Sequence, residues 1–161
     1  MAPRKKVPMT PAIRVLKQAG VAFAHHVYAY EARGGTRRSS QELGVEEHVV
    51  IKTIVMEDAS RKPFIVLMHG DRQVSVRQLG RVLQQRTVRL CTPEVAHRHT
   101  GYRVGGTSPF GTRKALPVYV EASVMALETL YINGGRRGLL VSMTPAALAS
   151  VLRPTTVHCA V

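Results

Sequence analysis

Cysteines and acidic residues are few in this chain, and a long apolar run is missing; each shortage removes a class of protein. Only two cysteines occur in 161 residues, Cys91 and Cys159, far apart in sequence. A disulfide framework or a thiolate metal site needs more of them, or closer spacing. Cys91 is therefore expected as a small buried hydrophobe and Cys159 as a thiol in a frayed tail. No apolar stretch approaches the roughly 20 residues of a membrane span. The basic start Met1-Ala2-Pro3-Arg4-Lys5-Lys6 is followed by neither an apolar core nor a small-residue cleavage site. It reads as a solvated tail and not a signal peptide, so the expected location is cytoplasmic. Seven histidines are present, but His97 and His99 would point to different sides of a helix. No carboxylate or cysteine cluster stands beside that pair, and neither metal nor cofactor is expected. Ser108 lies outside any G-x-S-x-G elbow and has no recognisable His and Asp partners.

The shortage of acids leaves a large positive balance. Ten Asp and Glu stand against 23 Lys and Arg, a formal net charge of +13, and 17 of the 23 are arginine. The planar guanidinium matches phosphate oxygens two at a time, so this surplus points to a nucleic-acid partner.

Helical and extended patterns alternate without repeats or a long linker. Thr10-Pro11, Thr92-Pro93 and Thr144-Pro145 each put a capping hydroxyl before a proline at the first helical position. The first predicts a helix through Ile13 and Leu16 closed by Gly20, and the third a helix through Leu148 and Leu152. Val21 to Tyr30 alternates as a strand, with Val21, Phe23 and Val27 on one face and His26, Tyr28 and Tyr30 on the other. Residues 33–38 read as a flexible basic loop, followed by a short helix capped by Ser39 with Glu42 and ending near Gly44. Val49 to Met56 and Phe64 to Met68 read as strands around a polar turn, and Ser75 to Gln85 as a helix burying Val76, Leu79 and Leu83. Segments 88–90, 118–120, 130–132 and 139–141 supply further strands. Many short strands and few helices predict an α+β domain, with helices flanking a mixed, strongly curved sheet. The domain is expected over residues 9–153, between a basic flexible tail at 1–8 and a C-terminal tail at 154–161.

Three features carry chemistry. Lys52 sits in Val49-Val50-Ile51-Lys52-Thr53-Ile54-Val55-Met56, otherwise apolar apart from Thr53. An ammonium drawn into such a strand loses hydration unless it is paired or used, although an edge lysine can also reach water. The glycine-rich run Thr100-Gly101-Tyr102-Arg103-Val104-Gly105-Gly106-Thr107-Ser108-Pro109-Phe110-Gly111 lets bare N–H groups approach a ligand. It lacks the lysine of a P-loop and could equally be a turn. Asn133-Gly134-Gly135-Arg136-Arg137-Gly138 reads as a hairpin with two arginines at its tip, well placed for phosphate.

Together these stretches resemble the YbaK/EbsC branch of the bacterial aminoacyl-tRNA deacylases, relatives of the editing domain inserted in prolyl-tRNA synthetases. The resemblance runs from Met9 to about Leu152. It is most specific at Lys52-Thr53, at the Gly105-x-x-x-Pro109 loop, and at Gly134-Gly135-x-Arg137-Gly138. It implies a pseudo-barrel sheet and removal of a wrongly attached amino acid from tRNA, typically cysteine from cysteinyl-tRNA(Pro), with cysteinyl-tRNA(Cys) as a further substrate. It implies Lys52 as the catalytic residue holding the substrate near its ester, with no protein nucleophile. The substrate's own thiol would attack the carbonyl and leave as a cyclic thiolactone. It further implies substrate contacts from Tyr28, Thr53, Gly105, Gly106, Thr107, Ser108, Pro109, Asn133, Gly134 and Gly135. Arg136 and Arg137 are the expected tRNA contacts, and prolyl-tRNA synthetase an expected partner. The chain departs from the family pattern at Asn133, at Leu140 where an aspartate is usual, and at Gly35 where an aromatic is usual. A sister specificity such as alanyl-tRNA(Pro), or a tRNA-binding module without catalysis, are the competing readings. A pure binder would have no use for a lysine inside an apolar strand.

Overall fold

The three Thr-Pro pairs act as helix starts in the computed structural model, which describes residues 7–161. Thr10, Thr92 and Thr144 each accept a hydrogen bond from the N–H three residues on, opening α1 (Pro11–Ala19), α4 (Pro93–Thr100) and α5 (Pro145–Leu152). The remaining helices are α2 (Gly35–Leu43) and α3 (Val76–Val82). The strands are β1 (Ala24–Val27), β2 (Val50–Asp58), β3 (Pro63–His69), β4 (Val88–Leu90), β5 (Val118–Glu121), β6 (Leu130–Asn133), β7 (Leu139–Met143) and β8 (Thr155–Val157). They form one mixed sheet in the order β1-β7-β6-β2-β3-β5-β8, with β4 pairing β2 from the side. The pairs β2–β6, β3–β5 and β5–β8 are parallel and the others antiparallel. The α+β class is as expected, but the pseudo-barrel does not close: β1 and β8 remain two separate ends.

Both sheet faces are covered, which explains the unbroken apolar run of β3. Ile65 and Leu67 join a core with Ile13, Leu16, Ile51, Val55 and Leu148, under α1 and α5. Phe64, Val66 and Met68 alternate to the other face and pack with Met56 and Leu79 of α3. No helix is long and apolar enough to cross a membrane among the described residues.

Several expectations are corrected. The basic loop at 33–38 is helical from Gly35, and Ser39 is no N-cap: its buried hydroxyl donates back toward the carbonyls of Gly35 and Thr36. Thr36, bonded to Glu47 at 2.7 Å, and an Arg38–Glu42 ion pair one turn on hold that earlier start. The strand expected over residues 21–30 shrinks to four residues, the length over which it pairs with Leu139 to Ser142 of β7, and Val27 faces solvent. Val76 is exposed at the first position of α3, while Leu79 is fully buried. Residues 154–161 are not a trailing tail. β8 pairs with β5, Val161 N–H and C=O both bond Gln73, and Cys159 is fully buried. The Glu121 carboxylate, which accepts from the N–H groups of Cys159 and Ala160, anchors the segment. Of the N-terminal tail, residues 1–6 lie outside the described residues, and Val7 packs against the core.

Candidate active site

The site begins at a gap in the sheet. The β2–β6 ladder covers Val50 and Ile51, and the β2–β4 ladder resumes at Met56. Between them Cys91 N–H donates to the Val55 carbonyl, which leaves Thr53 facing an opening. That opening is a cavity of about 470 Å3, within the range of small-molecule sites. Its wall combines Tyr28 and Tyr30, the start of α2, the middle of β2, Leu90 to Pro93, Val104 to Thr107, Asn133 and Leu140. Most of these side chains are apolar.

Lys52 is half-buried on the cavity wall, the one lysine among its lining residues. Its Nζ donates to the Arg72 carbonyl. Burial lowers its pKa below the usual lysine value, and the nearby carboxylates of Glu47 and Asp71 oppose that shift. Thr53 Oγ1 is buried with no hydrogen-bond partner among the described residues. A polar atom left unmatched on a cavity wall is one a ligand can satisfy. Tyr28 is fixed by its own N–H, which donates to the Gly138 carbonyl at 2.9 Å. Burial raises its phenol pKa.

The glycine-rich run and the hairpin lock together above this cavity. Asn133 Nδ2 donates to the Gly105 carbonyl at 3.0 Å, and Asn133 Oδ1 accepts from Gly135 N–H at 2.7 Å. Gly105 has φ +83°, and a β-carbon there would meet the Tyr30 hydroxyl at 2.7 Å. A β-carbon on Gly106 would meet Arg137 N at 2.9 Å. Both positions need glycine because another chain segment lies where a side chain would be. Arg137 stacks 5.2 Å over the Tyr30 ring and its Nε donates to the Val104 carbonyl at 2.9 Å.

Of the residues singled out in the sequence, Tyr28, Lys52, Thr53, Gly105, Thr107 and Asn133 line the cavity. Gly106, Ser108, Pro109, Gly134 and Gly135 stand behind that lining, and Arg136 and Arg137 are exposed on the hairpin. Ser108 is fully buried, and its Oγ accepts from Phe110 N–H. The sequence reading missed Tyr30, the start of α2 and the segment at Leu90, Cys91 and Pro93. Only the Thr92-Pro93 helix start hinted at the last of these. Cys91 is half-buried: it packs against the edge of the core and also lines the cavity wall. Burial, with the neighbouring Glu57 carboxylate, pushes its thiol up to about 11. A protonated thiol is a poor nucleophile.

With this geometry in hand, comparison with known proteins is specific. The chain is 24% identical over 152 residues to the "Putative Cys-tRNA(Pro)/Cys-tRNA(Cys) deacylase EbsC" of Enterococcus faecalis, covering 94% of this chain and 93% of that protein. It is 28% identical over 94 residues to a proline–tRNA ligase of Caldicellulosiruptor bescii, 58% of this chain but 16% of that enzyme. The fold superposes on "hypothetical protein APE2540" with a TM-score of 0.87, at 20% identity, covering 94% of this chain and 100% of that one. A solved "putative trans-editing enzyme for prolyl tRNA synthetase" gives 0.80 at 19% identity, covering 96% and 99%. The profile of the aminoacyl-tRNA editing domain matches residues 35–151. That span holds Lys52, the Gly105–Pro109 loop and the Gly-Gly hairpin, and the chain belongs to the aminoacyl-tRNA editing domain family.

Proposed function

We propose that this protein is a trans-editing deacylase that removes cysteine from mischarged cysteinyl-tRNA(Pro), with cysteinyl-tRNA(Cys) as a second substrate. The observation that carries this reading is a cavity with one lysine ammonium on its wall and, among the described residues, no activated nucleophile. Lys52 is the ammonium on its wall, which it shares with the guanidinium groups of Arg33 and Arg38, the Cys91 thiol is held protonated, and the Ser108 hydroxyl is buried against backbone. The attacking group then belongs to the substrate. The cysteinyl thiolate forms a C–S bond to its own ester carbonyl. The ester C–O bond breaks, the ribose oxygen leaves with the proton that the thiol gave up on becoming a thiolate, and water later opens the small thiolactone to free cysteine. Connectivity already meets most of the entropic demand of ring closure. Lys52 holds the ester and steadies the developing negative charge. Tyr28, Thr53, Gly105 and Asn133 surround the amino acid, Gly106, Thr107, Ser108, Pro109, Gly134 and Gly135 shape the loops behind it, and Arg136 and Arg137 meet tRNA phosphates. Prolyl-tRNA synthetase is the partner that supplies tRNA selection, which co-purification tests.

A second specificity has its own support. Leu140 makes the wall apolar where a carboxylate is usual in the family, which suits a small apolar side chain such as alanine. Deacylation of Cys-, Ala-, Ser- and Pro-tRNA(Pro) separates the readings. Cysteinyl ester loss well above the seryl rate supports thiol self-attack; equal rates exclude it and point to bound water. Preference for alanine selects the sister specificity, and tRNA binding with no ester loss leaves a non-catalytic module.

A further inference from the structure

Behind Lys52, away from the cavity lining, stands a cluster of titratable groups with no part in the reading above. His48 belongs to the 3-10 turn Glu47–Val49 before β2, His69 ends β3, and Asp71 and Arg72 follow it. His48 Nδ1 lies 2.8 Å from Asp71 Oδ1. The rings of His48 and His69 stack with centroids 3.7 Å apart and planes 8° from parallel. His69 is fully buried, and its Nδ1 lies 2.7 Å from the His48 carbonyl oxygen. That oxygen only accepts, so Nδ1 carries the proton. His69 Nε2 is then an acceptor, and Ser123 Oγ, 2.8 Å away, has one proton to share between that nitrogen and the Glu121 carboxylate beside it.

One ligand atom from each of His48, His69 and Asp71 falls within 4.8 Å of the others. Stacked rings, however, keep their nitrogen lone pairs in separate, nearly parallel planes, which do not meet at one ion. Both His69 nitrogens are also engaged by protein atoms. The cluster instead forms a continuous support. It runs from Glu121 through Ser123, His69 and His48 to Asp71, on the turn whose next residue, Arg72, offers the carbonyl that receives Lys52 Nζ.

We propose that His48 and Asp71 are positioning residues that fix the turn at 70–72 and through it the place of the Lys52 ammonium. The inference rests on Lys52 being the centre of the active site. Neither residue lines the cavity, so both act through Lys52. Asp71 has a second effect. With Glu47 it supplies the negative charge that opposes the desolvation of Lys52.

The test measures single-turnover deacylation and KM for cysteinyl-tRNA(Pro), or the alanyl ester if the panel selects it, across pH. The variants are Asp71→Ala, Asp71→Asn, His48→Ala and Lys52→Ala. Asp71 is exposed and His48 partly so, so the variants are expected to fold, and melting temperatures check this. Asp71→Ala and His48→Ala should each slow the chemical step by roughly 10–100-fold with little change in KM, the scale expected when a catalytic group is displaced by an ångström or so. Asp71→Asn keeps an oxygen for His48 and should recover most of that rate. Its alkaline limb should still move to lower pH, because Lys52 has lost a neighbouring negative charge. A merely structural role would lower the melting temperature without moving that limb. Alanine variants as fast as the parent beside an inactive Lys52→Ala overturn the inference and leave the site assignment standing. An active, folded Lys52→Ala overturns the site assignment, and the inference with it.

Discussion

At Lys52 two opposing effects decide what the side chain can do. Burial favours the neutral amine, while Glu47, Asp71 and the Arg72 carbonyl favour the ammonium. A charge kept in partly desolvated surroundings acts on a developing oxyanion more strongly than one in water. Lys52→Ala should therefore lower the deacylation rate by ~10²-fold or more with the fold intact, read from single-turnover kinetics beside a thermal melt. Cys91 lies on the same wall but has the opposite electrostatics, with Glu57 beside it and its thiol pushed up to about 11. Cys91→Ala should stay active on the cysteinyl ester. Inactivation of Cys91→Ala in a folded protein would make that thiol the nucleophile.

Among the elements, the threonine caps are alike in sequence and unequal in burden. Thr144 is exposed and only caps α5, whereas Thr10 is buried, caps α1 and also donates to the Gly134 carbonyl at 2.6 Å. Thr144→Ala should lose the ~1 kcal/mol of a cap. Thr10→Ala should lose about 2–3 kcal/mol, because it also strands a buried carbonyl beside the Gly-Gly hairpin. Urea unfolding of the two variants compares these losses directly, and equal values would mean that the Thr10–Gly134 bond contributes nothing. The same elements show what the sequence pattern conveyed. Thr-Pro pairs, Gly20 and the Gly-Gly hairpin work through neighbours a few residues away, so they were legible. α2 was misplaced because its start depends on Glu47, eleven residues on.

For the whole molecule, charge and the C-terminal segment matter most. A net charge of +13 predicts tRNA affinity that falls steeply with salt as counterions are released, measured by filter binding from low to moderate salt. Charge reversal at Arg136 or Arg137 should weaken all tRNAs alike and flatten that slope. Glu121 ties β5 to the last residues. Burial works to raise its carboxyl, but hydrogen bonds from Ser123, Cys159 and Ala160 prevail and draw it down to about 2, from an ordinary 4.5. The folded state thus prefers the carboxylate. Its contribution to stability is complete above about pH 4.5 and is lost as pH falls toward 2. Glu121→Gln should lower the melting temperature at neutral pH and flatten its decline across that window.

The family, a lysine inside an apolar strand, the two glycine-rich segments and most strands could be read directly from the chain. The family rests on the resemblance of a few short stretches to a known one, and the others on local patterns: alternation, caps, turn residues and one charge in an apolar run. Tertiary structure alone decided that the sheet stays open and that the ladder on β2 is interrupted at Thr53. It also placed Cys91 on the cavity wall, paired residues 155–157 with the sheet, tied the last residues to Gln73 and Glu121, and gathered His48, His69 and Asp71 behind Lys52. These depend on strand order and on contacts between residues tens of positions apart, which no local pattern specifies.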